Sequence, residues 1–243
     1  MTNRGLNRGC TACVHQNGRG RVADGRQLNA ELRARLDAIA KIESTINVAD
    51  RATSATGTGW HLDDREIALP VEMPGVPTAS GSFAMACRIL ERYAFPPPRL
   101  IRGTFDPDAP LAQRPMLLTA TYLWMTFELP VRVSSVIDTD REVQRDGDRG
   151  TERVWGYSYE TLAGHVERGE ITFEVTKHLA SGAVHFRIRS FSQTGHIANP
   201  FYRVGFRVVG RRLQRRFAAE SLLNMRAQVT VAMNRAVAPD PLP

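Results

Sequence analysis

The chain has 243 residues, a formal net charge of +7 and a pI of about 9.9. Hydrophobic residues make up 42% of it and aromatic residues 7%, which is ordinary for a globular protein and argues against a disordered or fibrous chain. No run of 18 apolar residues occurs, so the sequence predicts no membrane-spanning helix. The positive charge fits an anionic partner, but no base-reading motif accompanies it, and we expect no specific nucleic acid.

Residues 1–27 are rich in Gly, Arg and Asn, and we expect a disordered basic tail. Cys10, Cys13 and His15 lie in this tail, but a zinc site needs a fourth ligand, and Val14 breaks the haem-attachment spacing. We therefore predict no metal and no cofactor. The count of three cysteines is odd and the chain does not start with an apolar leader, so the expected location is cytoplasmic.

Apolar residues recur at helical spacing after the tail, at Leu28, Leu32, Leu36, Ile39, Ile42 and Ile46. The spacing predicts one amphipathic helix of about 20 residues that ends before Ala49. Its apolar stripe needs a partner, which is either the rest of the domain or, in a homodimer through residues 28–46, a second copy.

Residues 50–80 are typical of a loop, with one short strand predicted at Glu66–Leu69. A short helix follows over Ser82–Tyr93. Gly81 precedes it, and the Pro96-Pro97-Pro98 run ends it, because the residue before a proline avoids helical geometry.

Strand-like patterns begin at Leu117 and are predicted over Leu117–Phe127, Val131–Ile137 and Arg153–Leu162. Asp138–Gly150 is charged and contains glycine, so we predict a connection there. GHVERGE (164–170) is a polar loop that leads into a last hairpin.

The last hairpin has two alternating strands, and a two-residue turn at Ser181-Gly182 predicts its register. That register pairs Val175 with Ile188, Lys177 with Phe186, Glu174 with Arg189 and Thr176 with Arg187, and it aligns the two apolar faces. The charged pairs, with His178 and His185 nearby, form either a solvent-facing ladder or the wall of an anion-binding cavity.

The spacing of apolar residues over 199–236 predicts one long helix. We expect it to bend near Ala218–Ser221, where the apolar stripe changes phase. Arginines from Arg203 to Arg216 occupy one face of its first half. That face is either solvated or suited to peripheral contact with an anionic membrane.

A family pattern runs through these elements: Gly59-Trp60, Phe95-Pro96, Pro130-x-Arg132-Val133, GYxYxTLxGHxExGE over 156–170, and Phe191-Ser192. The pattern resembles the DUF1990 (UPF0548) family and, through it, the Bet v 1/START-like superfamily. The resemblance covers about residues 57–235 and implies an α+β helix-grip fold, in which a curved antiparallel sheet wraps a long C-terminal helix and leaves a cavity. We expect that domain over 57–236, an extra helix over 28–50, and tails at 1–27 and 237–243.

The implied cavity suits a small hydrophobic or amphipathic molecule. Polar contacts at its entrance are expected from His165 and Glu167, and the candidate lining residues are Trp60, Trp124, Tyr157, Tyr159, Phe173, Phe191 and Phe206. These aromatic residues equally suit core packing, and the charges of His165, Glu167 and Glu170 equally suit a solvated loop. A cyclase- or hydrolase-like enzyme is the alternative, with His165 and Glu167, or Tyr157 with either, as catalytic candidates. An interaction module that uses the N-terminal helix is a third.

Overall fold

The computed structural model describes residues 29–47, 50, 59–122, 125–145, 148–165, 167–194 and 200–237. Within them, seven strands form one antiparallel sheet in the order β1-β7-β6-β5-β4-β3-β2. The strands are β1 (His61–Ala68), β2 (Ile101–Thr104), β3 (Pro115–Tyr122), β4 (Met125–Arg145), β5 (Asp148–Thr161), β6 (Glu167–His178) and β7 (Val184–Thr194). The helices are α1 (Ala30–Ala40), α2 (Ser82–Glu91) and α3 (Pro200–Val237).

The main core lies between one face of the curved sheet and the helices α2 and α3, which also contact each other. Every second residue of the central strands points into it, including Tyr157, Phe173 and Phe186, each at most 1% exposed. Leu222, Met225 and Val229 of α3 close the core from the other side. A curved sheet that holds a long C-terminal helix confirms the expected helix-grip architecture.

The helix α1 packs on the opposite face of the sheet, against β3 and β4. Leu36 and Ile39 form a second, smaller apolar cluster with Leu117 and Leu162. The domain itself is therefore the partner of the buried part of the N-terminal stripe. A homodimer through residues 28–46 stays a prediction.

The predicted N-terminal helix was too long, because α1 ends at Ala40. Residues 43–45 instead pair with the end of β5. Thr45 N donates to Thr161 O at 3.0 Å, and Ala163 N donates to Glu43 O at 2.9 Å. The apolar residues beyond Ala40 are covered by sheet contacts, so their helical spacing was coincidental.

The sheet differs from the sequence prediction in three further places. The predicted strand Leu117–Phe127 is two strands, since β3 ends at Tyr122 and β4 begins at Met125. The predicted connection Asp138–Gly150 is mostly strand, because β4 continues to Arg145. Charged pairs such as Arg153–Asp138 and Arg141–Glu152 span the strands there in place of apolar contacts. The strand predicted at Glu66–Leu69 begins earlier, at His61.

The predicted register of the last hairpin was wrong by two residues. Val175 pairs with Phe186 and Glu174 with Arg187, because residues 179–182 form a four-residue loop closed by His178 N donating to Ala183 O at 2.9 Å. A shift of two preserves the faces. Arg189 therefore still reaches Glu174, diagonally, at 2.6 Å on the side away from the helices. Arg187 also lies on that side, where it pairs with Asp64.

A buried ion pair caps the start of α2. Gly81 has no side chain to cap the helix, so Glu72 does so by accepting a hydrogen bond from Phe83 N at 2.6 Å. The second carboxylate oxygen of Glu72 accepts from Lys177 Nζ at 2.6 Å, and the two side chains are 5% and 1% exposed. This pair ties the loop before α2 to the end of β6, beside the β6–β7 loop.

The helix α3 is continuous over its 38 residues, which confirms one long element at the C-terminus. Its second apolar stripe, including Met225 and Val229, is buried in the core. The side chains of the first stripe and most of the arginine face, residues 200–213, lie outside the described residues. The bend and the membrane contact therefore stay predictions.

Candidate functional site

A cavity of about 150 Å³ lies between the sheet and the middle of α3. Its apolar wall comes from β2, β3, β4, β6, β7 and α3, and consists of Leu100, Ile101, Leu118, Ala120, Leu129, Ile171, Ile188, Phe217 and Ala218. The remaining lining residues are mostly polar: Asp63, Arg65, Tyr159, Thr161, His165, Gly169, Glu170, Ser190, Phe191, Ser192, Gln214 and Arg215. The site is thus an aliphatic pocket with hydrogen-bonding groups toward one end.

The polar end is built where β5, β6 and β7 lie side by side. Thr161 Oγ1 accepts a hydrogen bond from Gly169 N at 2.9 Å, which fixes β5 against β6. Gln214 Nε2 of α3 donates to Ser192 Oγ of β7 at 3.4 Å. Hydroxyl, amide and backbone groups therefore meet at this end of the cavity, where a polar group of a ligand could be held.

His165 lies at the same end, in the turn between β5 and β6. The backbone N–H of His165 donates to Leu162 O at 3.0 Å. Gly164, which precedes it, has a φ of +94°, a left-handed conformation that glycine adopts without steric cost. The turn leaves the imidazole half-buried at the cavity. The side chain of its predicted companion, Glu167, lies outside the described residues.

Glu170 borders the cavity as His165 does. Its carboxylate accepts a hydrogen bond from Ser134 Oγ at 2.7 Å, and its strand neighbours are Glu160 and Phe191 on the face away from α3. Among the described residues, no group of three His, Cys, Asp or Glu side chains is arranged to hold a metal ion. His165 and Glu170 thus both border the cavity, and the carboxylate of Glu170 is hydrogen-bonded to Ser134 of β4.

Only some of the predicted aromatic residues reach the cavity. Tyr159 and Phe191 border it, although the ring of Phe191 packs on Trp60. Tyr157 and Phe173 lie in the core beneath α2, at 1% and 0% exposure. Tyr157 donates its hydroxyl to Leu90 O at 3.2 Å, and burial raises the pKa of this phenol, so it stays protonated. Trp124 and the side chain of Phe206 lie outside the described residues.

Trp60 contributes to a neighbouring cluster instead of the cavity wall. Its ring meets Phe191 edge to face at 5.3 Å, and the guanidinium of Arg168 lies 5.6 Å from its centroid. Arg168 also donates to Thr45 O at 2.6 Å and pairs with Asp50. The cluster thus attaches the N-terminal segment to the strands that form the polar end of the cavity.

Several lining residues were missed by sequence reasoning. Gln214, Phe217 and Ala218 come from the middle of α3, where periodicity gives a face but no contact partner. Asp63 and Arg65 alternate with Ile67 on β1, so the alternation could have identified them if the strand had been predicted from His61.

A family model described as a domain of unknown function, DUF1990, matches residues 44–223. The chain belongs to the DUF1990 family. The match includes every residue that lines the cavity, from Asp63 to Ala218. It begins earlier than the expected residue 57, within the segment that pairs with β5, so α1 alone precedes the DUF1990 region among the described elements.

Comparison with curated proteins gave no match. Among solved structures, the crystal structure of Ara h 8.0201 is similar to the DUF1990 chain at 12% identity. The similarity covers 71% of this chain and 99% of that chain, with a TM-score of 0.41, and we base no inference on it. No helix in the described part of the chain is both long and apolar enough to cross a membrane.

Proposed function

We propose that this DUF1990 protein binds a small, largely apolar molecule with a polar end in the cavity between the sheet and α3. The observation that carries the proposal is the cavity itself, whose aliphatic walls end in hydroxyl, amide and imidazole groups. Apolar pockets with a few placed polar groups are typical of small-molecule sites. A cytoplasmic location is part of the proposal.

The volume limits the size of the guest. A dry cavity of about 150 Å³ is large enough for benzene, whereas drug-sized ligands occupy pockets of roughly 300 Å³ or more. With about 150 Å³ here, we expect a guest of one ring or a short branched chain, with its polar group toward Thr161 and Ser192.

The enzymatic alternative requires a second reactive group beside His165. Tyr157 does not supply it, because its hydroxyl is committed to Leu90 O inside the core. The pair of His165 and Glu167 stays a prediction, as does an interaction role for α1. Binding has the support of a formed cavity, and neither alternative has a comparable observation.

Native mass spectrometry of the purified protein tests the proposal. We expect a bound small molecule in the wild type and at least a tenfold lower occupancy in Ala218→Leu, because the larger side chain fills the cavity. The control is Ala227→Leu, the same change at an exposed position of the same helix. Equal occupancy in the two variants, or no guest in the wild type after lysates and cavity-sized probes are offered, contradicts the proposal.

A further inference from the structure

A groove of about 400 Å³ lies on the surface between α2 and the second half of α3. Its lining residues are Ile89, Ala227, Gln228, Val231, Ala232 and Arg235. The groove begins at Ala227, nine residues after Ala218 of the cavity wall and therefore about 13 Å further along the helix. It is a separate surface feature, which the proposed binding in the cavity does not use.

Two side-chain amides of α3 fix the helices on either side of this groove. Gln228 Nε2 donates to Ala94 O at 2.8 Å, and Asn224 Nδ2 donates to Phe95 O at 2.9 Å, both just after the end of α2. On the buried side of α3, Met225 and Val229 are 0% exposed in the core. The groove is therefore formed by packed helices, and a partner would meet a surface that is already in place.

An exposed apolar stripe of α3 borders the groove. Leu223, Ala227 and Val231 recur every four residues, so they lie along one side of the helix. Leu223 is 54% exposed and Val231 is 50% exposed, and Ala227 is exposed as well. Adjacent exposed apolar side chains of this kind are typical of interaction surfaces.

The charge beside the stripe is positive. Residues 221–237 contain no acid, and Arg226 and Arg235 are both exposed there. On α2, Arg92 is exposed and follows Ile89 of the groove by three residues, which places both on the same side of that helix.

No acid of α2 offsets these charges at the groove. Glu91 is the only acid of α2, and it follows Ile89 by two residues, so it points to the opposite side of the helix. Within the described ranges, Arg92, Arg226 and Arg235 form no ion pair with a carboxylate. Three charges are therefore available to an acidic partner.

Charge and shape distinguish the occupants that such a groove could take. A symmetric contact with a second copy would bring these arginines against each other, and like charges across an interface repel. A lipid surface is flat, whereas the small side chains of Ala227 and Ala232 line a recess. An amphipathic helix fits a recess between two helices, with its apolar side chains inserted at the spacing of helical turns.

We propose that the groove between α2 and α3 is a docking site for an amphipathic helical segment of another protein. Its apolar side chains pack against Ile89, Ala227 and Val231, and its Asp or Glu side chains pair with Arg92, Arg226 and Arg235. The apolar contacts supply affinity, and the arginines select acidic segments over basic ones.

A synthetic helical peptide tests the proposal. It is about 16 residues long, with leucine at the i, i+3, i+4 and i+7 spacing of one helix face and glutamate beside it. Fluorescence anisotropy of the labelled peptide with the full chain should show saturable binding that weakens as salt is added. A second peptide with lysine in place of each glutamate should bind at least about tenfold more weakly, because it meets like charge.

The decisive variant is Val231→Glu, which puts a charge into the apolar wall and should lower the affinity for the acidic peptide at least about tenfold. Arg235→Glu should lower it by a similar factor. The matched control is Val136→Glu, the same change in size and charge at a valine of β4 that is 41% exposed, and it should stay within about twofold of the wild type. Because Val231 is half exposed, we expect the variant to keep the circular dichroism spectrum of the wild type.

Three results would overturn the docking site. The first is an acidic peptide that does not bind, and the second is equal affinity for the acidic and basic peptides. The third is equal weakening by Val231→Glu and Val136→Glu, which would mean that the peptide binds elsewhere by charge alone. Vesicles of phosphatidylglycerol are the comparison for a lipid surface, and binding to them that is lost in Val231→Glu while the peptide fails to bind would assign the groove to a membrane instead.

Discussion

The phenols of Tyr93 and Tyr157 are buried in the core, and their burial makes the stability of the fold depend on pH. Burial is the main cause that raises the pKa of each. A raised pKa means that the folded state holds the proton more tightly than the unfolded state. The stability it contributes is complete below the unfolded value of about 10 and is lost as pH rises toward the folded value.

We therefore predict alkaline unfolding. Above about pH 10 the free energy of unfolding should fall by about 1.4 kcal/mol per pH unit for each of these two phenols. Urea denaturation at a series of pH values measures the slope, and phenolate absorbance should rise with unfolding. Tyr157→Phe should lower the slope by one phenol's share. A free energy of unfolding that stays constant from pH 10 to 11.5 would contradict the burial of these hydroxyls.

For single residues, the sequence predicted which face of a strand a side chain occupies but not how deeply it is buried. Alternation correctly put Tyr157 and Tyr159 on one face of β5, and both point toward the helices. A period of two cannot say which of them lies beneath α2 and which borders the cavity, because that depends on where the helices cross the sheet. The left-handed conformation of Tyr93 could not be recognised either. Its ring fits only beside Gly103, which is ten residues later in the chain and on a strand that was not predicted.

The N-terminal helix is the element whose partner the sequence left undecided. Leu36 is 4% exposed and belongs to the cluster with Leu117 and Leu162 on the sheet. Burial of such a side chain contributes about 2 kcal/mol or more. The contacts lie within one chain, so their contribution should not depend on protein concentration.

We accordingly predict that Leu36→Ala lowers the free energy of unfolding by about 2 kcal/mol in urea denaturation, at any protein concentration. Leu223→Ala, at a position of α3 that is 54% exposed, is the control and should change it by less than about 0.5 kcal/mol. A loss that appears only at high protein concentration would instead favour the homodimer through residues 28–46.

In the hairpin β6–β7 the sequence predicted the two strands but not the turn that joins them. Both strands and their apolar faces were predicted, but the Ser181-Gly182 pair does not form the whole turn. Gly182 has a φ of +75°, and Glu72 N donates to its carbonyl at 3.0 Å. The loop is thus shaped by a segment about a hundred residues earlier in the chain. Local turn preferences do not contain that information.

For the whole molecule, the order of elements was enough to predict the architecture. A short helix, antiparallel strands and a long final helix can bury their apolar faces together in few ways, and the helix-grip arrangement is one of them. The cavity was expected only from the family resemblance. Whether side chains fill a space depends on volumes such as those of Ala120 and Ala218, which no pattern of apolar and polar residues specifies.

The ion pair that caps α2 has a consequence for chemistry on the intact protein. The chain contains only two lysines, Lys41 and Lys177, among 32 basic residues. Lys41 is exposed, whereas Lys177 is 0% exposed and held by Glu72. An acylating reagent should therefore modify Lys41 quickly and Lys177 only when the strand and the loop separate.

Pulse acetylation followed by peptide mass spectrometry tests this. We expect Glu72→Gln to speed modification of Lys177 more than tenfold, because the ammonium loses its buried partner. Glu128→Gln, which removes an exposed ion pair with Arg35, should leave it unchanged. Equal wild-type rates at the two lysines would contradict the burial. If Lys177 is the slower of the two, its rate of acetylation reports how often the interior opens. The thirty arginines of the chain do not interfere, because the reagent modifies amines.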